Sequence, residues 1–226
     1  MKTKSLFFLI ASVILASCGK DDTNSPNTAH DPYMNANDGS SWTYHEVNSS
    51  GDVPIAGDYT ITSTANDTTI NSRKYHVYNY SYGGNQYLNV SGSDYYQFDS
   101  IPGGVGGNVE RLYLKDNAAV GATWDQDFIF NIPDFPIAIP LTVSNTIIDK
   151  GNSRTVNGIT YSNVIHVSTT LSSAFITTPS EFTSSIDSYY AENYGLIENS
   201  TLIHIHSQGL EKDIDIKTQL MSAVLK

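Results

Sequence analysis

The chain has 226 residues, with 12 basic and 23 acidic side chains, a formal net charge of −11 and a single cysteine. That balance argues against a nucleic-acid partner: a phosphate backbone would be repelled and no basic stripe exists to release counterions. The acidity suits solubility at a crowded surface, and with one cysteine no disulfide can form within the chain, so a core alone must hold the fold even in an oxidising compartment.

The first element is a leader. Lys2 and Lys4 open it, Leu6 to Leu15 is a mostly apolar run too short to span a bilayer as a helix, and Ala16 and Ser17 are small, so residues 1–17 read as a secretory signal peptide. Leu15-Ala16-Ser17-Cys18 resembles the lipobox of bacterial lipoproteins. The resemblance implies cleavage before Cys18, diacylglycerol on its thiol and acylation of the new amino terminus. A thiol suits that role because its thiolate is the best side-chain nucleophile for forming a thioether. Several acyl chains would hold the protein lastingly where one holds only marginally. Gly19-Lys20-Asp21-Asp22 resembles the lysine-plus-acid tag that sends some Gram-negative lipoproteins to the outer face of the outer membrane, with the periplasmic leaflet as the alternative. Loss of residues 1–17 removes two of the 12 basic residues, so ten oppose 23 acidic ones in the 209 that remain, and the net charge becomes −13.

Residues 18–38 carry Cys18 and then a polar stretch with Pro26 and Pro32 and no hydrophobic period, which predicts a flexible tether. One domain is expected over 39–226. From Ser40 the chain turns to short runs of Tyr, Val, Ile and Thr separated by Gly, Asn, Asp and Ser, the pattern of antiparallel strands and turns. Strands are predicted over 41–48, 57–64, 73–82, 86–91, 94–99, 109–115, 123–130, 139–149, 159–171, 187–191, 195–206 and 212–224. Turns are expected where φ > 0 is cheap, at Gly83-Gly84, at Ser91-Gly92-Ser93 and above all at Asn157-Gly158. Ile214, Ile216 and Leu220 alternate with Asp213, Asp215, Lys217 and Gln219, so one face of the last strand should be buried and the other wet. About ten to twelve strands are too many for a flat sheet. The predicted fold is all-β, either a single, strongly curved antiparallel sheet forming a half-barrel or a β-sandwich.

Four fragments carry a resemblance over most of the chain after the leader: Gly39-Ser40-Ser41-Trp42-Thr43-Tyr44, Val120-Gly121-Ala122-Thr123-Trp124, the stretch from Val156 to Ile165, and the stretch from Tyr189 to Ile197. In that order they are similar to a loose group of uncharacterised extracytoplasmic lipoproteins of Gram-negative bacteria. The resemblance implies a wide, curved antiparallel sheet around an apolar hollow, the shape of carriers of lipoproteins and lipids, and it implies no enzymatic activity. The chain departs from the group's pattern at Glu192-Asn193-Tyr194, where a basic residue and a Gly-Val pair are expected.

Candidate chemistry is sparse. His204-Ile205-His206 puts two imidazoles on one face of a strand, a spacing that can present two nitrogens to zinc, with His166 or Asp215 as nominal third ligands. The plainer reading is a solvated face opposite Ile203 and Ile205. Asp125 with Asp127, and Asp213 with Asp215, are side by side on a strand and cannot bracket a sugar as a glycosidase requires. The stretch Ile101 to Gly107 is glycine-rich without the Lys-Ser/Thr of a phosphate loop, and reads as a loop between strands. No nucleophile elbow, His-Glu-x-x-His or EF-hand loop is present.

Two features favour binding. The chain has 15 tyrosines, several grouped, and Tyr78, Tyr80, Tyr82, Tyr95 and Tyr96 are candidate ligand contacts because a phenol ring offers a flat apolar face and a hydroxyl. Phe130 and Phe135 sit in the apolar stretch 128–140, which Pro133, Pro136 and Pro140 keep out of a central ladder, so that it forms a docking lip or, by preference, a plug for one end of the core. The expected function is a lipid-anchored, non-catalytic envelope module that binds a lipid, glycan or peptide. The alternatives are a protein-interaction component of the envelope and a hydrolase assisted by a metal on His204 and His206. Apart from the lipid on Cys18 no cofactor is implied, and the membrane is the partner that the anchor supplies.

Overall fold

The computed structural model describes residues 32–101, 105–131, 138–174, 181–207 and 210–226. Among them every regular element is a strand: β1 (Ser41–Asn48), β2 (Ile55–Ile70), β3 (Arg73–Tyr80), β4 (Asn85–Ser91), β5 (Asp94–Ile101), β6 (Val105–Lys115), β7 (Thr123–Asn131), β8 (Ala138–Val156), β9 (Ile159–Ser172), β10 (Phe182–Ala191), β11 (Gly195–Ser207) and β12 (Leu210–Val224). All twelve belong to one antiparallel sheet in the order β6-β5-β4-β3-β2-β1-β12-β11-β10-β9-β8-β7, nearly closed into a barrel-like curve. The single curved sheet is therefore correct and the sandwich is not.

Each strand pairs with its neighbours in sequence except that β6 and β7 do not pair. The first strand pairs with the last, Trp42 opposite Ala223 and Val47 opposite Lys217, which places both ends of the meander in the middle of the sheet. The free edges are β6 and β7, joined in sequence and lying at opposite ends of the strand order. Side chains of β7 reach across this seam: the Leu112 N–H donates to Gln126 Oε1 at 2.7 Å, and Trp124 Nε1–H donates to the Leu112 carbonyl at 2.8 Å. The backbone N–H and carbonyl of Leu112, which an open edge would offer to another chain, are thereby satisfied.

Turn chemistry behaves as expected at Asn157-Gly158, with φ of 49° and 79° as a type I′ turn requires. Several strands run longer than predicted: β10 starts at Phe182 and β6 at Val105, and β2 and β8 are extended most. β2 continues through Ala65-Asn66-Asp67 and β8 through Lys150-Gly151-Asn152, each across register irregularities, with Gly151 at φ 85°. Turn-forming residues there are absorbed as bulges that bend the strands and add to the curl. The glycine-rich stretch is also mostly strand: β5 reaches Ile101 and β6 begins at Val105. In the 128–140 stretch, β7 runs through Phe128 to Asn131 and β8 resumes at Ala138, where Pro140 opposes Ile129. Residues 132–137, and Phe135 with them, lie outside the described residues.

Residues 32–38, which the sequence assigns to the tether, pack on the sheet instead. Tyr33 is 4% exposed; its N–H donates to the Tyr95 hydroxyl at 3.1 Å and its own hydroxyl donates to the Asn163 carbonyl at 2.8 Å. The Pro32 carbonyl accepts from Asn193 N–H at 2.9 Å. One aromatic residue can make this short segment part of the core, which its polar composition conceals.

Candidate functional site

Alternation along the strands sends one set of side chains into the curve of the sheet. Apolar residues fill one level of it with Leu141, Val143, Leu171, Ile186, Ile203, Ile205 and Ile214. Another level holds Tyr33, Tyr95, Leu114, Ile147, Ile165, Val167 and Tyr190. Between these levels the same strands contribute polar residues. Asn145 separates Val143 from Ile147, Thr169 separates Leu171 from Val167, and Ser188 separates Ile186 from Tyr190. Cross-strand register continues the band: Asn145 opposes Thr169, Ser188 neighbours Asn199 in hydrogen bonding, Asn199 opposes Thr218, and Thr218 opposes Glu46.

Most of this belt is satisfied internally, as buried polar groups must be. Thr169 Oγ1 donates to Asn145 Oδ1 at 2.7 Å, Asn199 Nδ2 to Ser188 Oγ at 2.9 Å, Thr201 Oγ1 to Asn199 Oδ1 at 3.0 Å and Thr218 Oγ1 to Glu46 Oε2 at 3.3 Å. Asp99 accepts from Gln97 Nε2 at 3.0 Å and from Ser100 N–H at 2.7 Å. Arg111 differs. It pairs in register with Gln97, lines the belt, and among the described residues has no acceptor for its Nε–H, which is closed off from solvent. Burial pulls its guanidinium below the ordinary range, while Tyr190, Asp99, Tyr113 and Tyr80 are near enough to act on it electrostatically in the opposite direction.

Two adjoining recesses open on this face. A polar one of about 290 Å³ is lined by the belt, including Glu46, Asp99, Arg111, Asn145 and Thr218. An aromatic one of about 200 Å³ is lined by Trp42, Tyr44, Tyr59, Tyr78 and Tyr80 among others. Gln97, Tyr113, Tyr190 and Leu196 border both. From the aromatic recess a run of rings leads outward: Tyr44 stacks on Tyr59 with centroids 5.4 Å apart, Tyr59 meets Tyr80 at 6.0 Å, and Tyr80 stacks on Tyr82 at 5.0 Å. Burial holds the hydroxyls of Tyr44, Tyr59, Tyr80 and Tyr113 above the ordinary phenol range, so they are neutral hydrogen-bonding groups. Trp42, also on this recess, has an Nε1–H that is buried with no acceptor among the described residues.

The candidate tyrosines thus separate. Tyr78 and Tyr80 line the aromatic recess, Tyr78 donating its hydroxyl to the Asn35 carbonyl at 2.8 Å. Tyr82 is 71% exposed at the end of the run of rings. Tyr95 is in the core, its hydroxyl donating to Asp116 Oδ2 at 2.6 Å. Tyr96 lies on the outer face beneath Arg73, whose guanidinium carbon is 3.6 Å from the ring centroid. Phe130 belongs to β7, but its side chain lies outside the described residues, as does all of Cys18. Sequence reasoning missed Arg111 and Trp42. The alternation Val109, Arg111, Tyr113 was a usable signal for the first, since it puts a cation in line with apolar neighbours.

The histidines occupy the outer face. Ile203 and Ile205 are buried behind them, and both imidazoles are 44% exposed. Neither nominal third ligand is close: register sets Asp215 opposite Leu202, and His166 is held by Asp187 at 2.8 Å and stacked on Tyr189. Asp213 takes the place instead, with Oδ1 2.7 Å from His204 Nδ1 and 3.0 Å from His206 Nε2, and Glu211 pairs with His206. The three groups His204, His206 and Asp213 could converge on a metal ion, but the same geometry is a cross-strand ladder of ion pairs that is complete without one.

Two solved structures are similar in fold. One is named a "putative lipoprotein", from Parabacteroides distasonis, at 12% identity and TM-score 0.49, covering 86% of this chain and 99% of that chain. The other is named a "putative exported protein with YmcC-like fold", from Bacteroides fragilis, at 10% identity and TM-score 0.43, with the same coverages of 86% and 99%. No protein-family model matches the chain, and no curated protein sequence matches it.

Proposed function

We propose that this is a lipid-anchored, non-catalytic envelope protein that holds a small amphiphilic molecule inside its curved sheet. The observation that carries the reading is the interior itself. A sheet that needed only stability would fill its inner face with apolar side chains, yet here a polar belt adjoins a tyrosine-lined recess, at volumes of about 200 and 290 Å³. Convergent polar groups beside an apolar and aromatic wall are the usual make-up of a small-ligand site. The Leu15-Ala16-Ser17-Cys18 pattern supports attachment through Cys18, at the outer membrane and with Gly19-Lys20-Asp21-Asp22 favouring its outer face over the periplasmic leaflet.

Native mass spectrometry of the protein purified from the bacterium that encodes it, compared under gentle and denaturing conditions, tests the binding reading. A small molecule retained only under gentle conditions is expected. A bare mass, together with a stoichiometric protein partner captured by crosslinking on whole cells, would instead favour an interaction component of the envelope. The anchor has its own test: Cys18→Ala should abolish incorporation of labelled palmitate, and continued acylation would refute it.

A further inference from the structure

We propose that the bound molecule carries an oxyanion, a carboxylate or a phosphate, and that Arg111 grips it in the polar recess; the proposal rests on the reading of the hollow as a binding site. Guanidinium groups are normally paired when they are withdrawn from water, because an unmet donor costs free energy and an unmet charge costs more. Arg111 departs from that rule in a particular place. It stands on the inner face of β6, on the wall of the polar recess, with its Nε–H sealed from solvent and without an acceptor among the described residues. Asn145, Thr169, Ser188, Asn199, Thr201 and Thr218 of the belt are each engaged in hydrogen bonds, whereas the guanidinium Nε–H has no acceptor among the described residues.

The recess also contains Asp99 and Glu46, and neither meets this need. Asp99 is engaged by Gln97 and Ser100, Glu46 by Thr218, and neither forms an ion pair with Arg111. Asp99 acts on the guanidinium electrostatically from beyond contact distance, which eases its burial and supplies it with no acceptor. A planar fork of N–H donors matches the geometry of carboxylate and phosphate oxygens. Tyr113 and Tyr190 border both recesses with neutral hydroxyls, raised by burial, that can donate to the same oxyanion. The neighbouring aromatic recess then takes the apolar part of the molecule, and the unsatisfied Trp42 Nε1–H there points to a ligand with a second acceptor.

The test is a titration of three probes sharing one ring system, 2-naphthoate, 2-naphthyl phosphate and 2-naphthylmethanol, against the full chain made by membrane-free cell-free synthesis so that it is unacylated. At least one anion should bind about ten to a hundredfold more tightly than the alcohol. Which anion is preferred separates a carboxylate ligand from a phosphate one. Arg111→Gln should erase that preference and leave alcohol binding in place, and Arg111→Lys should retain part of it. If the alcohol binds as tightly as both anions, the Arg111 proposal fails while the hollow remains a binding site. If no probe binds, both readings fail. Should Arg111→Gln not fold, the comparison of probes on the natural protein decides alone.

Discussion

Two arginines on opposite faces of the same sheet show how differently a half-buried cation can be treated. On the outer face Arg154 donates to Glu198 Oε2 through Nε at 2.6 Å and lies over the Tyr189 ring with its guanidinium carbon 3.3 Å from the centroid. Tyr189 in turn stacks on His166, and Glu198 also accepts from Gln219 Nε2 at 3.0 Å. The result is a chain of contacts across β8 to β12, every link of it supplied by the protein. On the inner face Arg111 has Tyr190, Tyr113, Tyr80 and Asp99 within electrostatic range and no acceptor for its Nε–H among the described residues. A charge that completes its own contacts supports the fold, whereas one left incomplete beside a cavity is free to serve a visitor.

That difference can be broken by substitution. The scale is set by an apolar residue of the layer beside the belt: Ile165→Ala removes a fully buried side chain and should lower stability by about 2–5 kcal/mol in urea denaturation. Glu198→Ala should cost about 1.5–3 kcal/mol, because it strips the acceptor from Arg154 where Glu198 itself is 7% exposed. Arg111→Met, by contrast, should leave stability unchanged or raise it by up to about 2 kcal/mol, since an unpaired withdrawn charge is replaced by an apolar chain of similar length. A loss comparable with that of Glu198→Ala would mean that Arg111 has a structural partner after all, and the contrast between the two faces would collapse.

The smallest effect concerns the outer histidine ladder and its pH dependence. Hydrogen bonds donated to Asp213 and Glu211 hold His206 above its ordinary 6.5, and hydrogen bonds from His204 and His206 hold Asp213 below its ordinary 3.8. A raised histidine contributes stability that is fully present below 6.5 and lost as pH rises through the folded value. A depressed aspartate contributes above 3.8 and is lost as pH falls through its folded value. The ladder should therefore help most between 3.8 and 6.5. The difference in thermal midpoint between the natural protein and His204→Asn plus His206→Asn should be small, largest near the middle of that window, and absent at alkaline pH. A constant difference at every pH would assign the pair to packing instead of charge.

Local features of the fold were readable in the chain. Asn157-Gly158 announces its hairpin because positive φ at both positions is cheap only for such residues. Ile214 and Leu220 mark the buried face of β12 because a strand can wet one face only. The bulged extensions of β2 and β8 were not readable, since Asn, Asp and Gly mark a turn or a bulge alike until a partner strand is in register. Tyr33 illustrates the same limit. Nothing adjacent to it suggests burial, and its partners Tyr95 and Asn163 lie 62 and 130 residues away.

The sequence by itself determined the alternation, the turns and hence an all-β chain whose strands meet mainly in sequence order, because those depend on neighbours within a few residues. It also carries the Leu15-Ala16-Ser17-Cys18 pattern, whose resemblance to a lipobox is visible without any fold. Only the tertiary structure decided that β1 joins β12, that β6 and β7 approach across a seam, and that the polar residues of successive strands align as one belt. Whether a side chain is partnered depends on what curvature brings to its other side. For Arg111 curvature brings a recess in place of a carboxylate in contact, and no pattern along the chain could have said so.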